Sequence, residues 1–343
     1  MTHTTLPEEI AEKTVPATPW GRRLAALDWG TRRTHAGLSV FPLLGENDGA
    51  LRYVLLDVAL AAGTVTVEEK GASGSVPEIW LSNTGALPLL VVDGEELIGA
   101  KQNRIVNTSV LVGTKTAIGL PVSCVEAGRW NPESAQFRSE GTQYNARGRQ
   151  KKVTEVSHAL ATAGRATADQ GRVWSDVDAK LSRLSVGSET RALHDAVRGH
   201  AAGLAAFVDA LARPAPRQVG AVFALGHEII GLDIFDQAET LAALLPKLVA
   251  SNALDALDEQ PAAAPPTAAL VARWLNTIAN ASGDHRPAVA LGQDYRLSAS
   301  RVSGAALVID EAALHVSAFW TNAQPAEAKT GRMERASVRR PVE

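Results

Sequence analysis

The order of apolar patterns along the chain constrains the fold more than any other sequence feature. Short apolar runs with β-branched residues, bounded by Gly, Asn and Asp, fill residues 25–130 and return in 286–319. Such runs are typical of strands joined by tight turns. Between them, apolar residues recur at helical spacing. We therefore predict an α+β protein whose mostly antiparallel sheet or sandwich core combines N- and C-terminal strands, with a helical hairpin and further helices packed on one side.

The same patterns predict a single α+β domain between two tails. Residues 1–19 and 324–343 lack periodicity, so we predict disordered tails around a domain spanning 20–323. Few large apolar residues follow Asn131, which predicts a long loop there. Within the domain we expect strands over 25–130, helices over about 169–212, a hairpin over 218–235, helices over 237–281 and strands over 286–319.

The composition, net charge and cysteine count of the chain argue against several classes of partner and location. The chain is 45% hydrophobic and 21% charged, as in ordinary globular proteins. Its net charge of -3 gives no positive field for a nucleic-acid backbone, so no nucleic-acid partner is expected. Cys124 is the only cysteine, which excludes an internal disulfide and fits a reducing compartment. The sequence shows neither a signal peptide nor an apolar run of about eighteen residues, so we predict a cytoplasmic protein without a membrane partner.

The segment 93–130 is unusually polar for a strand pattern. Gln102, Asn103 and Arg104 directly precede the β-branched pair Ile105 and Val106. Hydrogen-bonding groups in a core strand need partners. Two interpretations follow. Either these groups form an internal network that fixes the fold, or they line a cleft that holds a polar ligand.

The end of this segment, SCVEAGRW, adds three ligand-binding candidates. Glu126 offers an acceptor for hydroxyls, Arg129 an anion partner and Trp130 a stacking surface. Cys124 and Arg129 are spaced as in a rhodanese cysteine loop. However, Cys124 lies among valines and an Asn-Pro pair follows, so we interpret it as a small buried hydrophobic residue.

An acidic turn, Asp93-Gly94-Glu95-Glu96, permits a third interpretation. Asp93 and Glu95 share one strand face and, with Glu126, define a possible metal-dependent hydrolase. The alternative is a solvated hairpin tip. The sequence contains no metal-binding histidine pair, phosphate-binding glycine motif or GxSxG elbow, and His315 is interpreted as a packed residue. No cofactor can be assigned.

Four segments together resemble the bacterial and archaeal ARG and rhodanese-phosphatase-superfamily-associated domain. They are DGEELIGAKQNRIVNTSVLV, PVSCVEAGRW, QGRVW and VGAVFALGHEIIGLDIFD, and the resemblance extends from about Leu24 to Phe319. Gly226-His227 departs from the glycine-rich hairpin turn of the family, which weakens any role for this turn at a ligand. The family's association with ADP-ribosylglycohydrolase-like and rhodanese or phosphatase partners does not define a mechanism.

The resemblance suggests a site for ADP-ribose or a related phosphorylated ligand. The residues that match the family motif are Gln102, Asn103, Arg104, Glu126, Arg129 and Trp130. Arg104 and Arg129 would hold phosphate, Glu126 and Asp93 hydroxyls or a cation, and Trp130 the base. The alternative is a non-catalytic scaffold that binds protein partners. Whether the chain is an enzyme stays open.

Overall fold

The computed structural model describes residues 16–71, 74–262 and 264–321. The predicted C-terminal tail and most of the N-terminal one lie outside these ranges. The described helices are α1 (Pro19–Ala25), α2 (Leu56–Ala61), α3 (Ala146–Ala163), α4 (Gln170–Arg183), α5 (Leu193–Gly199), α6 (Ala201–Leu211), α7 (Ala238–Glu259) and α8 (Ala268–Ala279). The first nine strands are β1 (Asp28–Trp29), β2 (Arg33–His35), β3 (Leu38–Leu44), β4 (Val54–Leu55), β5 (Val65–Glu69), β6 (Glu78–Asn83), β7 (Leu89–Val91), β8 (Glu96–Gly99) and β9 (Arg104–Val106). The others are β10 (Val110–Val112), β11 (Thr116–Cys124), β12 (Phe137–Arg138), β13 (Gln218–Leu225), β14 (Glu228–Phe235), β15 (Ser282–Pro287), β16 (Gln293–Ala299), β17 (Val302–Ile309) and β18 (Ala312–Trp320).

A nine-stranded antiparallel sheet joins the two ends of the chain. Its order is β1-β3-β13-β14-β18-β17-β16-β15, with β2 paired to β3. The N-terminal strand β3 pairs with β13, and the C-terminal strand β18 pairs with β14. The hairpin predicted over 218–235 is β13 and β14, which turns at Gly226 and His227. The α+β class and the sheet built from both ends of the chain are therefore confirmed.

Two smaller sheets hold the polar segment 93–130. One is an antiparallel sheet in the order β12-β8-β9-β11-β6-β5, and the other has the order β10-β7-β4 with β4 and β7 parallel. The prediction of strands throughout 25–130 was wrong for α2. In α2 the buried residues Leu56 and Ala59 lie three apart on one helical face. A helix of six residues is too short for this spacing to stand out from a strand pattern.

Helices cover both faces of the large sheet, so the prediction of helices on one side was wrong. Along β3, Leu38 and Val40 pack into the cluster that contains α7, whereas Phe41 and Leu43 pack into the cluster that contains α1 and α8. Side chains alternate along a strand, so a strand that is apolar on both faces needs a cover on each. All four of these β3 side chains are buried.

Helix α3 replaces part of the loop predicted after Asn131. Its buried face carries the charged residues Arg149 and Lys152 beside the apolar Val153, Val156 and Leu160. Two cations on the inner face remove the apolar periodicity by which a helix is recognised. The prediction was wrong for this reason.

Helix α7 has the length and apolar composition of a membrane-crossing helix. However, 72% of its most apolar window is buried inside the protein. Leu241, Leu244, Leu245 and Leu248 belong to the core cluster on one face of the large sheet. The apolar surface of α7 therefore serves the protein core.

Candidate functional site

An open cavity of about 790 Å³ lies where the C-terminal end of α3, the small antiparallel sheet and the edge of the large sheet meet. Its described lining comes from β6, β11, the segment after α3, and the β15 to β16 region. The lining residues are Pro77, Glu78, Gly119, Pro121, Leu160, Gly164, Arg165, Ala166, Thr167, Arg286, Pro287, Val289 and Asp294. A volume of this size accommodates a nucleotide-sized molecule.

Two arginines, Arg165 and Arg286, and two carboxylates, Glu78 and Asp294, line this cavity, so charges of both signs face it. The exposed Arg165 follows the C-terminal cap of α3. The Arg286 guanidinium donates from Nη1 to the Leu160 carbonyl at 2.7 Å, while its buried Nε has no hydrogen-bond partner among the described residues. Guanidinium groups hold phosphate and carboxylate oxygens by paired hydrogen bonds. The cavity thus combines apolar walls with the exposed guanidinium of Arg165.

A second, buried polar cavity lies beneath the first. Its volume is about 10 Å³, room for roughly one water molecule. Its lining residues are Asp93, Thr108, Ser109, Val153, Asp294, Arg296, Ala305, Ala306, Leu307, His315 and Ser317. Asp294 lines both cavities. The two spaces therefore adjoin at this carboxylate.

Asp294 and Arg296 form an ion pair at the wall of the buried cavity. Arg296 Nη2 donates to Asp294 Oδ2 at 2.5 Å and to Thr108 Oγ1 at 2.6 Å. Burial raises the pKa of Asp294 despite the opposing charges of Arg296 and Arg286. Both side chains come from β16, whose pairing with β15 and β17 fixes their direction.

A chain of hydrogen bonds runs from the buried cavity into the large sheet. Ser109 Oγ lies 2.7 Å from His315 Nδ1, and His315 Nε2 lies 3.1 Å from Asp233 Oδ1. The ring of His315 stacks on Phe235 with the centroids 4.6 Å apart. Because a carboxylate only accepts, Nε2 carries a proton toward Asp233 and Nδ1 is left to accept from the Ser109 hydroxyl. The Asp93 N–H also donates to Ser109 Oγ at 2.9 Å.

The inner face of α3 supplies the cations for this network. Arg149 donates to both oxygens of Asp233, at 2.6 and 3.0 Å, and to Asp93 Oδ2 at 3.3 Å. Lys152 Nζ donates to Asp93 Oδ1 and, at 3.0 Å, to the Val106 carbonyl. Burial raises the pKa of Asp233, but Arg149 and His315 outweigh it and hold that pKa below its usual range. Burial lowers the pKa of Lys152.

Three residues of the predicted site lie together, but they bind each other. The Asn103 N–H donates to Glu126 Oε2 at 2.9 Å. Arg129 donates to both Glu126 oxygens, at 2.8 and 2.6 Å, and to Asn103 Oδ1 at 3.2 Å. Burial raises the pKa of Glu126, but hydrogen bonds from Arg129 and Thr190 outweigh it and lower that pKa. The arrangement resembles an internal network more closely than an open cleft.

Arg104, Gln102 and Trp130 lie beside this network. The buried Arg104 contacts Cys124 Sγ, and its Cζ is 5.9 Å from the centre of the Trp130 ring. Burial lowers the pKa of Arg104. Its Nε and the buried Gln102 Oε1 have no hydrogen-bond partner among the described residues. Trp130 is 46% exposed and offers an accessible ring.

The acidic turn lies inside the protein. Asp93, Glu95 and Glu96 are at most 5% exposed, so the solvated-tip alternative was wrong. Glu95 pairs with Lys247 at 2.7 Å, whereas Asp93 pairs with Arg149 and Lys152, and Glu126 pairs with Arg129. The three acids of the hydrolase hypothesis thus belong to different ion-pair networks. Within the described ranges, no group of three or more His, Cys, Asp or Glu side chains could hold a metal ion.

Sequence reasoning did not single out the chain from Ser109 through His315 to Asp233. One signal was available, because Asp233 interrupts the apolar run IIGLDIF and His315 interrupts ALHVSAF. A charged or titratable residue within a buried strand needs a partner. The partners come from distant parts of the chain, and only the folded sheet shows which residues meet.

The fold and the site together define an antiparallel α+β protein with a buried charged network beneath an open cavity. The family model for the ARG and Rhodanese-Phosphatase-superfamily-associated Protein domain matches residues 26–319. The chain therefore belongs to this family. Neither a curated protein nor a solved structure gives a significant match.

Proposed function

We propose that this protein binds a phosphorylated small molecule of the ADP-ribose type in the open cavity, as a cytoplasmic protein. The observation that carries this proposal is the combination of apolar walls with Arg165 and Arg286 around about 790 Å³. Apolar surface suits the planar base, and guanidinium groups suit phosphate oxygens. Thr167 and Asp294 add oxygen acceptors for hydroxyl groups.

A second surface for such a ligand is the exposed ring of Trp130 beside Arg104. Here the ring offers stacking, but the neighbouring Arg129 already donates to Glu126, Asn103 and backbone carbonyls. The open cavity retains more donor capacity for a phosphate, because the Arg165 side chain that lines it is exposed. We therefore place the ligand in the cavity. We assign the Asn103, Glu126 and Arg129 cluster a structural role, as an internal hydrogen-bond network.

Calorimetric titration tests this proposal. We expect heat from ADP-ribose and much weaker binding of adenosine, which lacks phosphate. Arg165→Ala should weaken ADP-ribose binding about tenfold or more, because a hydrogen bond to a charged group contributes about 1.5–3 kcal/mol. The exposed Arg52, which does not line the cavity, provides the matched control, and Arg52→Ala should bind as the wild type does.

Two outcomes would contradict the placement or the function. If Trp130→Ala abolishes binding while Arg165→Ala does not, the site lies at the motif residues. If neither ADP-ribose nor other phosphorylated nucleotides give heat at high protein concentration, the ligand proposal is wrong. The mutually bonded Asn103, Glu126 and Arg129 cluster then favours the non-catalytic, partner-binding alternative.

A further inference from the structure

We propose that Ser109 is a nucleophile, activated by His315 and Asp233, that hydrolyses a small acyl ester carried by the cavity's ligand. The inference rests on the proposed function for the identity of the ligand. The serine-to-histidine distance of 2.7 Å lies within the range for proton transfer, and the histidine is in turn oriented by a third group, Asp233, at 3.1 Å. This arrangement is the general geometry of an activated hydroxyl nucleophile.

Paired strands hold two of the three groups, Asp233 and His315. Ser109 directly precedes β10, Asp233 lies in β14 and His315 lies in β18. Strands β14 and β18 pair so that Phe235 lies opposite His315, and Asp233 lies opposite Ser317. Phe235 also stacks on the histidine ring. Side chains held by paired strands keep catalytic distances better than side chains on loops.

The charges around Asp233 keep this carboxylate ionised and leave the ring proton on His315. Arg149 binds both oxygens of Asp233, so this carboxylate stays ionised and orients His315 without taking its proton. Arg296 and Thr108 line the same buried cavity as Ser109. Arg296 Nη2 already donates to Asp294 and Thr108, so Arg296 contributes its positive charge, rather than a free hydrogen bond from that atom, to the space in which negative charge would develop on a carbonyl oxygen.

The reaction balances without a metal or a redox partner. Ser109 Oγ attacks the ester carbonyl carbon while its proton passes to His315 Nδ1. The bond between that carbon and the alcohol oxygen breaks, and the alcohol leaves with the proton from His315. Water then attacks the acyl group on Ser109, giving its proton to Nδ1 and thence to Ser109 Oγ. One ester and one water become one acid and one alcohol.

The cavity sizes define the substrate class. The space beside Ser109 is about 10 Å³, whereas the adjoining open cavity is about 790 Å³. A space of about 10 Å³ holds roughly one water molecule, so the reacting acyl group must be small, such as formyl or acetyl, and it reaches Ser109 only when the wall between the two spaces moves. The phosphorylated alcohol remains in the open cavity. Asp294 lines both spaces, so its side chain is the part of that wall whose movement the proposed reaction requires.

Covalent labelling tests the inference independently of ligand binding. The full chain is incubated with p-nitrophenyl acetate and, separately, with methanesulfonyl fluoride, whose reacting group is about as small as an acetyl group, and adducts are mapped by mass spectrometry. We expect one adduct on Ser109, none in Ser109→Ala, and labelling slowed about 100-fold or more in His315→Gln, as for loss of a general base. Ser123→Ala removes another buried hydroxyl, outside the cavity, and should label as the wild type does.

Several outcomes would overturn the inference. Absence of a Ser109 adduct in the folded wild-type protein does so, as does a Ser109 adduct whose rate His315→Gln leaves unchanged. If Ser109→Ala fails to fold, Ser109→Cys keeps a nucleophile at this position and should form an iodoacetamide adduct that depends on His315. If the protein binds ADP-ribose but Ser109 is not labelled, the nucleophile inference is wrong and the proposed function stands. If Ser109 is labelled but ADP-ribose does not bind, the nucleophile inference stands and the proposed ligand is wrong.

Discussion

Replacement of Arg149 by methionine is expected to lower the free energy of unfolding by about 3–5 kcal/mol, the usual cost of removing one partner from a buried ion pair. Arg149 is 1% exposed and donates to Asp233 and Asp93. Without the guanidinium, the Asp233 carboxylate keeps, among the described side chains, only the hydrogen bond from His315. Methionine fills similar space but cannot compensate the charge. Urea unfolding with linear extrapolation measures the difference.

The control for this prediction is a surface pair of the same chemistry. Arg217 pairs with Glu46 at 2.8 Å, with side chains 54% and 81% exposed. Arg217→Met should change the free energy of unfolding by no more than about 1 kcal/mol, because solvent screens exposed pairs. The double variant Arg149→Met with Asp233→Leu should recover part of the loss, since it leaves no unpaired carboxylate. A loss below about 1 kcal/mol in Arg149→Met would contradict a structural role for this pair.

Local patterns in the sequence were sufficient to predict the elements that depend on them. The hairpin over 218–235 follows from two apolar runs around Gly226-His227, and a threonine such as Thr267 before an apolar run of helical spacing is typical of a helix start. In the structure, Thr267 Oγ1 accepts from the Leu270 N–H at the start of α8. Helix α3 was missed for the opposite reason. Its inner face carries Arg149 and Lys152, and such a face lacks an apolar stripe until its acidic partners are known.

The candidate site was predictable only in part, because its residues meet through long-range pairing. The sequence identified the segment 93–130 as polar, and Asp93 and Ser109 lie within it. Their partners Arg149 and His315 lie far away in the chain and reach them through α3 and β18. A single sequence shows that a buried polar side chain needs hydrogen-bond partners, but it does not show which residues they are. The motif residues Asn103, Glu126 and Arg129 lie together in the structure, and whether they bind a ligand stays a prediction.

Asp236→Asn is expected to stabilise the protein by up to about 3 kcal/mol near pH 8, which is unusual for a buried polar residue. Asp236 is 1% exposed, and its Oδ1 accepts from the Tyr53 hydroxyl at 2.5 Å. Burial raises the pKa of Asp236 from 3.8 to about 6, because Tyr53, Gln237 and Arg23 compensate only partly. Asparagine keeps an acceptor for Tyr53 and removes the charge.

The sign of the pH dependence follows from proton binding. The folded state holds the Asp236 proton up to about pH 6, whereas the unfolded chain releases it near pH 3.8. Stability contributed by this group is therefore present at low pH and is lost as pH rises through about 4 to 6. Asp236→Asn should match the wild type near pH 4 and exceed it above pH 6. Asp209, exposed on α6, gives the control, and Asp209→Asn should change stability by no more than about 0.5 kcal/mol at either pH. An equal loss of stability in Asp236→Asn at both pH values would show that the ionised carboxylate is needed for its hydrogen bonds rather than strained by burial.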